Sequence, residues 1–434
     1  LQGFEQMEFE DSGWNSNSVD SKCHYDVVGK EDFIEIEFCV ERVFERHPTQ
    51  GFVAIRSVSI RFEDEDVTDI DVWLYGRQGG AVRTRALVDI KDKKSPKAFE
   101  RVMWARGMQL ALGCDRAFVT TTDNSQKVAR FAHQQKVSLL TAAYIRQWVG
   151  GDLLNERLSL EELHGNIQLF AGQKQDGDWI RQIAAAKSAV VSLAPFPAFN
   201  KAMSSFRFFS DRAATRPQHR EQALRGAYLS AGLACVALDA ALEKLAFEQS
   251  QARHQMLYAG VTFGDAGDNR VKNSIDTVLS VISKGVNNGS VIARQAADAL
   301  DQMFTSVRAE IIAEFFAKEQ NSIHLFPVAR ELEARAHARN RADLTALSVE
   351  AKAVLGVLAD FIGAKRKVLL SSEFEAAPSI SAAPKSAATA QPPTTSRAET
   401  VEKKPSDAVK EDDEATEKGS ESKSSKSDDN PKLL

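Results

Sequence analysis

Three consecutive runs, "GFVAIRSVSIRF", "VTDIDVWLY" and "AVRTRALVDIK", alternate apolar and polar residues between Gly51 and Lys91, and none like them recurs after about residue 152. A period of two is what a half-buried strand requires. The joints, "EDED" and "RQGG", are turn-like, so the runs predict three strands in succession. Ahead of them, "KEDFIEIEFCVERVFERHP" sets Phe33, Ile36, Val40, Val43 and Phe44 at helical spacing, and Pro48 ends that helix. Behind them, "KAFERVMWARGMQLALG" predicts a helix stopped by Gly113, "RAFVTTT" a strand and "NSQKVARFAHQQ" a helix capped by Asp123 or Asn124. "VSLLT" then predicts a strand and "AAYIRQWVGG" a closing helix. The expected class is α/β, one mixed sheet flanked by helices.

From about 152 to 370 the pattern changes. Helices are predicted after Pro217 through "REQALRGAYLSAGLACVALDAALEKLAFEQ", and in "NRVKNSIDTVLSVISKG", "SVIARQAADALDQMFTSVRAEIIAEFFAKE" and "FPVARELEARAHARN". A last one, "SVEAKAVLGVLADFIGAKRKVLL", has Ser348 as its cap. "SAVVSLA" is the one ambiguous run, and "FNKAMSSFRFFSDRAATRPQHREQALR" reads as a linker packed on the bundle, or as aromatics and arginines that stack single strands. The expected organisation is a poorly ordered 1–29, an α/β domain over 30–151, an all-α domain over 152–370 and a disordered tail over 371–434, whose composition cannot supply a core. Of 434 residues, 43% are hydrophobic, enough for two or three such domains. The apolar stretch at 226–247 contains Asp239 and Glu243, so a buried helix is expected there rather than a membrane span. Four scattered cysteines without metal spacing point to reduced thiols and a cytoplasmic setting.

Charge is unevenly spread. Residues 1–66 hold 6 Lys/Arg against 16 Asp/Glu, while 67–150 hold 14 against 7. A basic stretch beside acids suits a polyanionic ligand near a metal, or is ordinary surface variation. In a strand, residues i and i+2 share a face, so Asp89 and Lys91 point together and Val88 and Ile90 point into the opposite layer. If the second and third strands pair across "RQGG", Asp71 shares the face of Asp89. Two carboxylates that close repel unless a cation separates them. Mg²⁺ fits: a hard ion that takes oxygen ligands, with the Ile90 carbonyl as a third. Lys91 would then assist a metal-bound water and stabilise charge on a scissile phosphate.

An acid ending one strand, then Asp-x-Lys in the next, then a helix, resembles the PD-(D/E)XK nuclease superfamily, with Asp71 and Asp89-Ile90-Lys91 in the motif positions. "GCDRAFVTTTDNSQKVARFAHQQKVSLLT" is similar to the strand–helix–strand of Mrr-type restriction endonucleases and Holliday-junction resolvases. The likeness covers roughly 30–150. Ile70 stands where many members carry proline. The resemblance implies a restriction-endonuclease-like sheet and an Mg²⁺-dependent endonuclease, with Mn²⁺ able to substitute. It implies DNA as partner, with RNA the alternative, defence against foreign DNA or DNA repair as the setting, no membrane, and a homodimer where both strands are cut. It also implies a supporting acid on the first helix, for which Glu37 is chosen and Glu35 and Glu41 stand as alternatives.

Lys93, Lys94, Lys97 and Arg101 follow the triplet and are expected to contact phosphates, or to be a solvated helix entry. Asp69 is either a supporting acid or solvated. His133 is expected on a helix surface, and Gln109 has no assigned role. No phosphate-binding Gly-rich loop or HExxH occurs. "ARELEARAHARN" bears a faint likeness to the R-x4–6-H motif of HEPN ribonucleases. Asn340 stands where Arg335 needs a histidine, and Arg330 with His337 has the spacing alone. The competing function is an inactive nuclease-like fold that binds nucleic acid or protein.

Overall fold

The computed structural model describes residues 30–45, 51–62, 65–91, 97–123, 125–141, 144–145 and 156–371. The side chains of residues 30–37, Phe62, Lys91 and Asp268 lie outside that description. So do the segments 1–29 and 372–434, expected to be poorly ordered, and all of "AAYIRQWVGG" but Tyr144 and Ile145.

Helix α1 (Lys30–Glu45) precedes strands β1 (Val53–Phe62), β2 (Glu65–Gln78) and β3 (Val82–Lys91). Then come α2 (Ala98–Ala111), β4 (Arg116–Thr121), α3 (Gln126–Gln134) and β5 (Val137–Thr141). The five strands form one mixed sheet in sequence order, β1–β2–β3 antiparallel and β3–β4–β5 parallel. Alternation places the two faces. Val72, Leu74, Ala86, Val88 and Ile90 meet Cys39, Val40 and Phe44 of α1. Trp73, Tyr75, Leu87 and Val119 meet α2 and the helices beyond residue 156. Residues Val72–Gly76 are therefore buried on both faces. Asp123 does not cap α3. Its carboxylate accepts from Ser125 N–H at 2.8 Å, and Ser125 is the cap, with Val128 N–H donating to its hydroxyl. Asn124 lies outside the described residues.

Among the described residues beyond 156, everything regular is helical apart from one isolated bridge, Arg157 to Ala338. The helices are α4 (Leu160–Gln168), α5 (Trp179–Ser192), α6 (Pro195–Thr215), α7 (Arg220–Glu243) and α8 (Ser250–Phe263). They continue as α9 (Asp268–Gly285), α10 (Gly289–Ser306), α11 (Ala309–Phe316), α12 (Leu325–Ala336) and α13 (Val349–Ile362). "SAVVSLA" is the end of α5. The supposed linker is α6, whose Phe199, Phe206 and Phe209 are fully buried. The single helix expected over 290–319 is two, broken at Val307, which is extended. Ser348 caps α13 as expected, accepting from Ala351 N–H, and Gly363 ends it at φ 74°.

Helix α7 is the axis of this half, buried from Glu221 to Leu242. It has the length and hydropathy of a membrane span, yet 94% of that window is buried inside the protein, so the apolar surface is spent on the core. It lies close against α6. A Cβ at Gly226 would come within 2.5 Å of the Phe209 ring. Trp179 fills the layer beside it, fully buried, with Phe170, Phe208 and Phe209 at centroid distances of 5.2, 6.4 and 5.7 Å. Sheet and helices share one core, and the described residues fall within a single compact unit. The change of composition near residue 152 thus marks a change of element type within that core.

Truncating Trp179 to alanine removes the largest fully buried side chain. It should cost about 3–5 kcal/mol in chemical denaturation, with the cavity left behind adding to the lost transfer energy.

Candidate active site

The pairing of β2 with β3 stops at Val72 and Val88, although β2 continues beside β1 to Glu65 and β3 beside β4 to Lys91. The sheet forks there. Asp71 and Asp89 are the next residues on the two arms, so the register sets them across from one another. Asp71 bridges the fork: its Oδ2 accepts the Ile90 N–H at 2.6 Å. The fork coincides with a break in alternation. Val53 and Ile55 face the helical core, and so do Val58 and Ile60, an odd set followed by an even one. The intervening Ser57 takes a left-handed backbone, φ 50°, and the β1–β2 register puts it opposite Asp71. A non-glycine residue held in that region costs about 1–3 kcal/mol and re-aims its neighbours.

Asp89 is 1% exposed. Arg101, on the first turn of α2, forks onto it: Nε donates to Oδ2 at 2.7 Å and Nη2 to Oδ1. The guanidinium also lies over the Trp104 ring, 4.5 Å from its centroid. Arg101, expected to contact phosphate, is thus engaged by the carboxylate in the protein alone. Lys91 ends β3, and Glu37 and Glu35 lie on α1, with side chains outside the description. Lys93 and Lys94 fall outside the described residues. Lys97 is exposed and 3.1 Å from Glu100, a surface pair of little energetic weight. Asp69 is exposed, as is His133.

The remaining sequence candidates have structural partners. Gln109 is buried and its amide donates to the Asp115 carbonyl at 2.9 Å. Arg330 donates to the Glu45 carbonyl at 2.7 Å, and Arg335 to the Asp343 carbonyl at 3.2 Å. His337 Nδ1 is 2.8 Å from the Leu158 carbonyl, and burial holds its pKa well below the usual value. Asn340 reaches Asp343 at 3.3 Å.

A second cluster was invisible in the sequence because five separate segments assemble it. Glu41 and Glu45 of α1 and Glu333 of α12 bring carboxylate oxygens within 4.8 Å of one another, a cation-binding set by count alone. Its centre holds a guanidinium instead. Arg157 Nη1 lies 3.0 Å from Glu45 Oε1 and 2.8 Å from Glu333 Oε2, and Nη2 lies 3.5 Å from Glu41 Oε1. Arg56 of β1 approaches Glu41 at 3.7 Å, and Lys187 of α5 donates to the Arg56 carbonyl at 3.2 Å. Burial pushes the Glu41 carboxyl up to about 8, with Arg157 opposing and Glu45 reinforcing. Burial pushes Lys187 down to about 8, and Glu333 is raised, again by burial.

Protein-family models, curated proteins and solved structures contain no match to this chain. The fork and the ion cluster are therefore weighed on their own chemistry.

The raised Glu41 pKa has a signed consequence. The folded protein holds a proton there that the unfolded chain releases near pH 4.5. The stabilisation is complete below that pH and is lost as pH rises through about 8. Lys187 acts in the opposite sense above about pH 8, outside this window. Buried His164 and His337, whose pKa values burial lowers, oppose this up to the ordinary histidine value of 6.5. Denaturation midpoints should therefore fall from about pH 7 to 8 in the wild type, and fall less in Glu41→Gln, where Glu333 retains the effect.

Proposed function

We propose that this chain is a metal-dependent endonuclease with a restriction-endonuclease-like fold, hydrolysing DNA phosphodiester bonds in the cytoplasm. The observation that carries this is the bridge from Asp71 to the Ile90 N–H. It joins the acid on one strand to the Asp-x-Lys triplet on the next, where the sheet opens. The strand order supports it: three antiparallel strands, then helix–strand–helix–strand with parallel pairing.

The donor set suits a hard divalent cation: two carboxylates and a carbonyl, all oxygen. Asp71, Asp89 and the Ile90 carbonyl would hold Mg²⁺, or Mn²⁺ in its place, provided that Arg101 leaves Asp89. When bound, the ion lowers the pKa of a coordinated water and stabilises charge on phosphate oxygens. The chain's own groups do the rest. Lys91 orients the attacking water by hydrogen bonding and offsets negative charge building on the phosphate. Glu37 supports the site from α1. Lys93, Lys94 and Lys97 hold the backbone of the nucleic acid in register. Arg101, once displaced, is a charged donor beside the same phosphates. DNA repair and defence against foreign DNA both suit such a chemistry.

One observation favours a second reading, an inactive nuclease-like fold that binds nucleic acid or protein. Both oxygens of Asp89 are already satisfied by Arg101. The two readings separate cleanly. An active enzyme nicks plasmid DNA with Mg²⁺ or Mn²⁺, and Asp89→Ala or Lys91→Ala reduces that rate by at least about 100-fold. Equal rates in wild type and both variants would sink the enzyme reading. Arg101→Ala supplies an independent check by calorimetry. If Arg101 competes with the cation for Asp89, removing it tightens Mn²⁺ binding while weakening DNA binding and its salt dependence.

A further inference from the structure

A cavity of about 350 Å³ lies at the closed end of the β2–β3 hairpin, lined by Arg77, Arg83, Arg253, Leu242, Phe247 and Ser322 among others. Its size falls at the low end for small-ligand sites. Its charges do not balance. Asp239, fully buried, faces two guanidiniums: Arg77 Nη1 at 2.9 Å and Arg83 Nε at 2.6 Å. Arg83 is itself buried, and the other contacts of the pair are to carbonyls of Gly79, Gly80, Val82, Ser322 and Ile323. Arg253 is 7% exposed and donates only to the Ala317 carbonyl at 3.2 Å and the Glu248 carbonyl at 3.0 Å. Its Nε is buried without a hydrogen-bond partner. Glu319 reaches the cavity from an exposed position, where solvent screens it. Three arginines thus line this cavity, and the one buried carboxylate behind it is shared by Arg77 and Arg83, which leaves an excess of positive charge on the wall. Such an excess is costly unless an anion completes it.

Beside the arginines stands Phe247, 93% exposed and the most exposed of the large hydrophobic residues described, with Leu242 and Ala246 next to it in the wall. An aromatic ring left in water beside a cationic recess is suited to stacking a flat group. We propose that this cavity binds a small phosphomonoester carrying a flat aromatic group, a nucleoside monophosphate in its simplest biological form. The dianion would sit against Arg77, Arg83 and Arg253, and the base against Phe247. This is independent of the nuclease reading, since it uses no residue of the Asp71–Asp89 fork.

The test is calorimetric titration of the full chain with adenosine monophosphate, inorganic phosphate and adenosine. Adenosine monophosphate should bind at least about tenfold tighter than inorganic phosphate, about 1.4 kcal/mol, and adenosine should give no saturable heat. Phe247→Ala, at a side chain that solvent already surrounds, should fold normally and bind the two phosphates equally. Arg253→Gln should weaken adenosine monophosphate by at least about tenfold. Asp89→Ala should bind it as the wild type does, which separates this cavity from the proposed nuclease centre. No saturable binding of adenosine monophosphate by wild type up to about 10 mM would overturn the proposal, as would affinity unchanged in Phe247→Ala. If circular dichroism finds Arg253→Gln unfolded, Phe247→Ala alone decides.

Discussion

One carboxylate fixes how the two halves of this molecule meet. Asp239 sits in the long buried helix α7 with no exposed surface, and receives the Tyr75 hydroxyl at 2.7 Å together with the guanidiniums of Arg77 and Arg83. Left alone in that helix, the carboxylate would cost several kcal/mol. All its donors lie on β2 and β3, so α7 is held against that end of the sheet. Because α5, α6 and α12 pack around α7, their placement follows from the same contact. At the far side, the Arg157 cluster joins α1 to α12 with a second set of buried charges.

Covering both faces of the sheet has a consequence for chemistry. The middles of β2 and β3 must be apolar throughout, so polar groups survive only where the strands end or part. The fork at Asp71 and Asp89 is such a place, and the Gly79–Gly80 turn is the other. Strain concentrates at the first: Ser57 is held left-handed across from Asp71, in a strand that also shifts register between Ile60 and Arg61. A backbone outlier beside two facing acids is the kind of local cost that a fold retains for function rather than for stability.

What was legible in the sequence follows from range. The strands, most of the helices and the facing of Asp71 and Asp89 depend on periods of two and of 3.6, and on pairing across one short turn, so local pattern carried them. What was not legible depends on long-range meeting. Arg101 reads as a basic helix entry and becomes the partner of Asp89 only when α2 folds back beside β3. Arg157 lies in no helix or strand and carries no motif, yet it holds together carboxylates from residues more than 100 positions away on either side. Ser57 has none of the glycine or asparagine character that announces a positive φ, and the break at Val307 has no proline or glycine to mark it. Ser125, not Asp123, is the cap because polar residues two positions apart compete for one helix end, a contest that sequence alone does not decide.

The two ends of the β2–β3 hairpin also differ in how freely their charges can rearrange. From Asp71 to Arg77 is six residues of strand, about 20 Å at about 3.3 Å per residue. Between them lie Val72–Gly76, buried on both faces, a segment without a second packing to adopt. Coupling over such a distance needs an element with two discrete arrangements, and a strand clamped between two cores offers none. At the turn, Arg77 and Arg83 are locked by Asp239 and by carbonyls, so an arriving anion meets a preformed wall and pays little in reorganisation. At the fork, Arg101 is held by the carboxylate of Asp89 and by the face of Trp104 at the same time. Drawing it away would cost one charged pair and expose both oxygens of Asp89, so under the proposed nuclease reading a polyanion that engaged Arg101 would change what the acid can bind. On the two proposals together, the turn would meet its anion with charges already fixed, while the acid pair at the fork would depend on substrate to release Arg101.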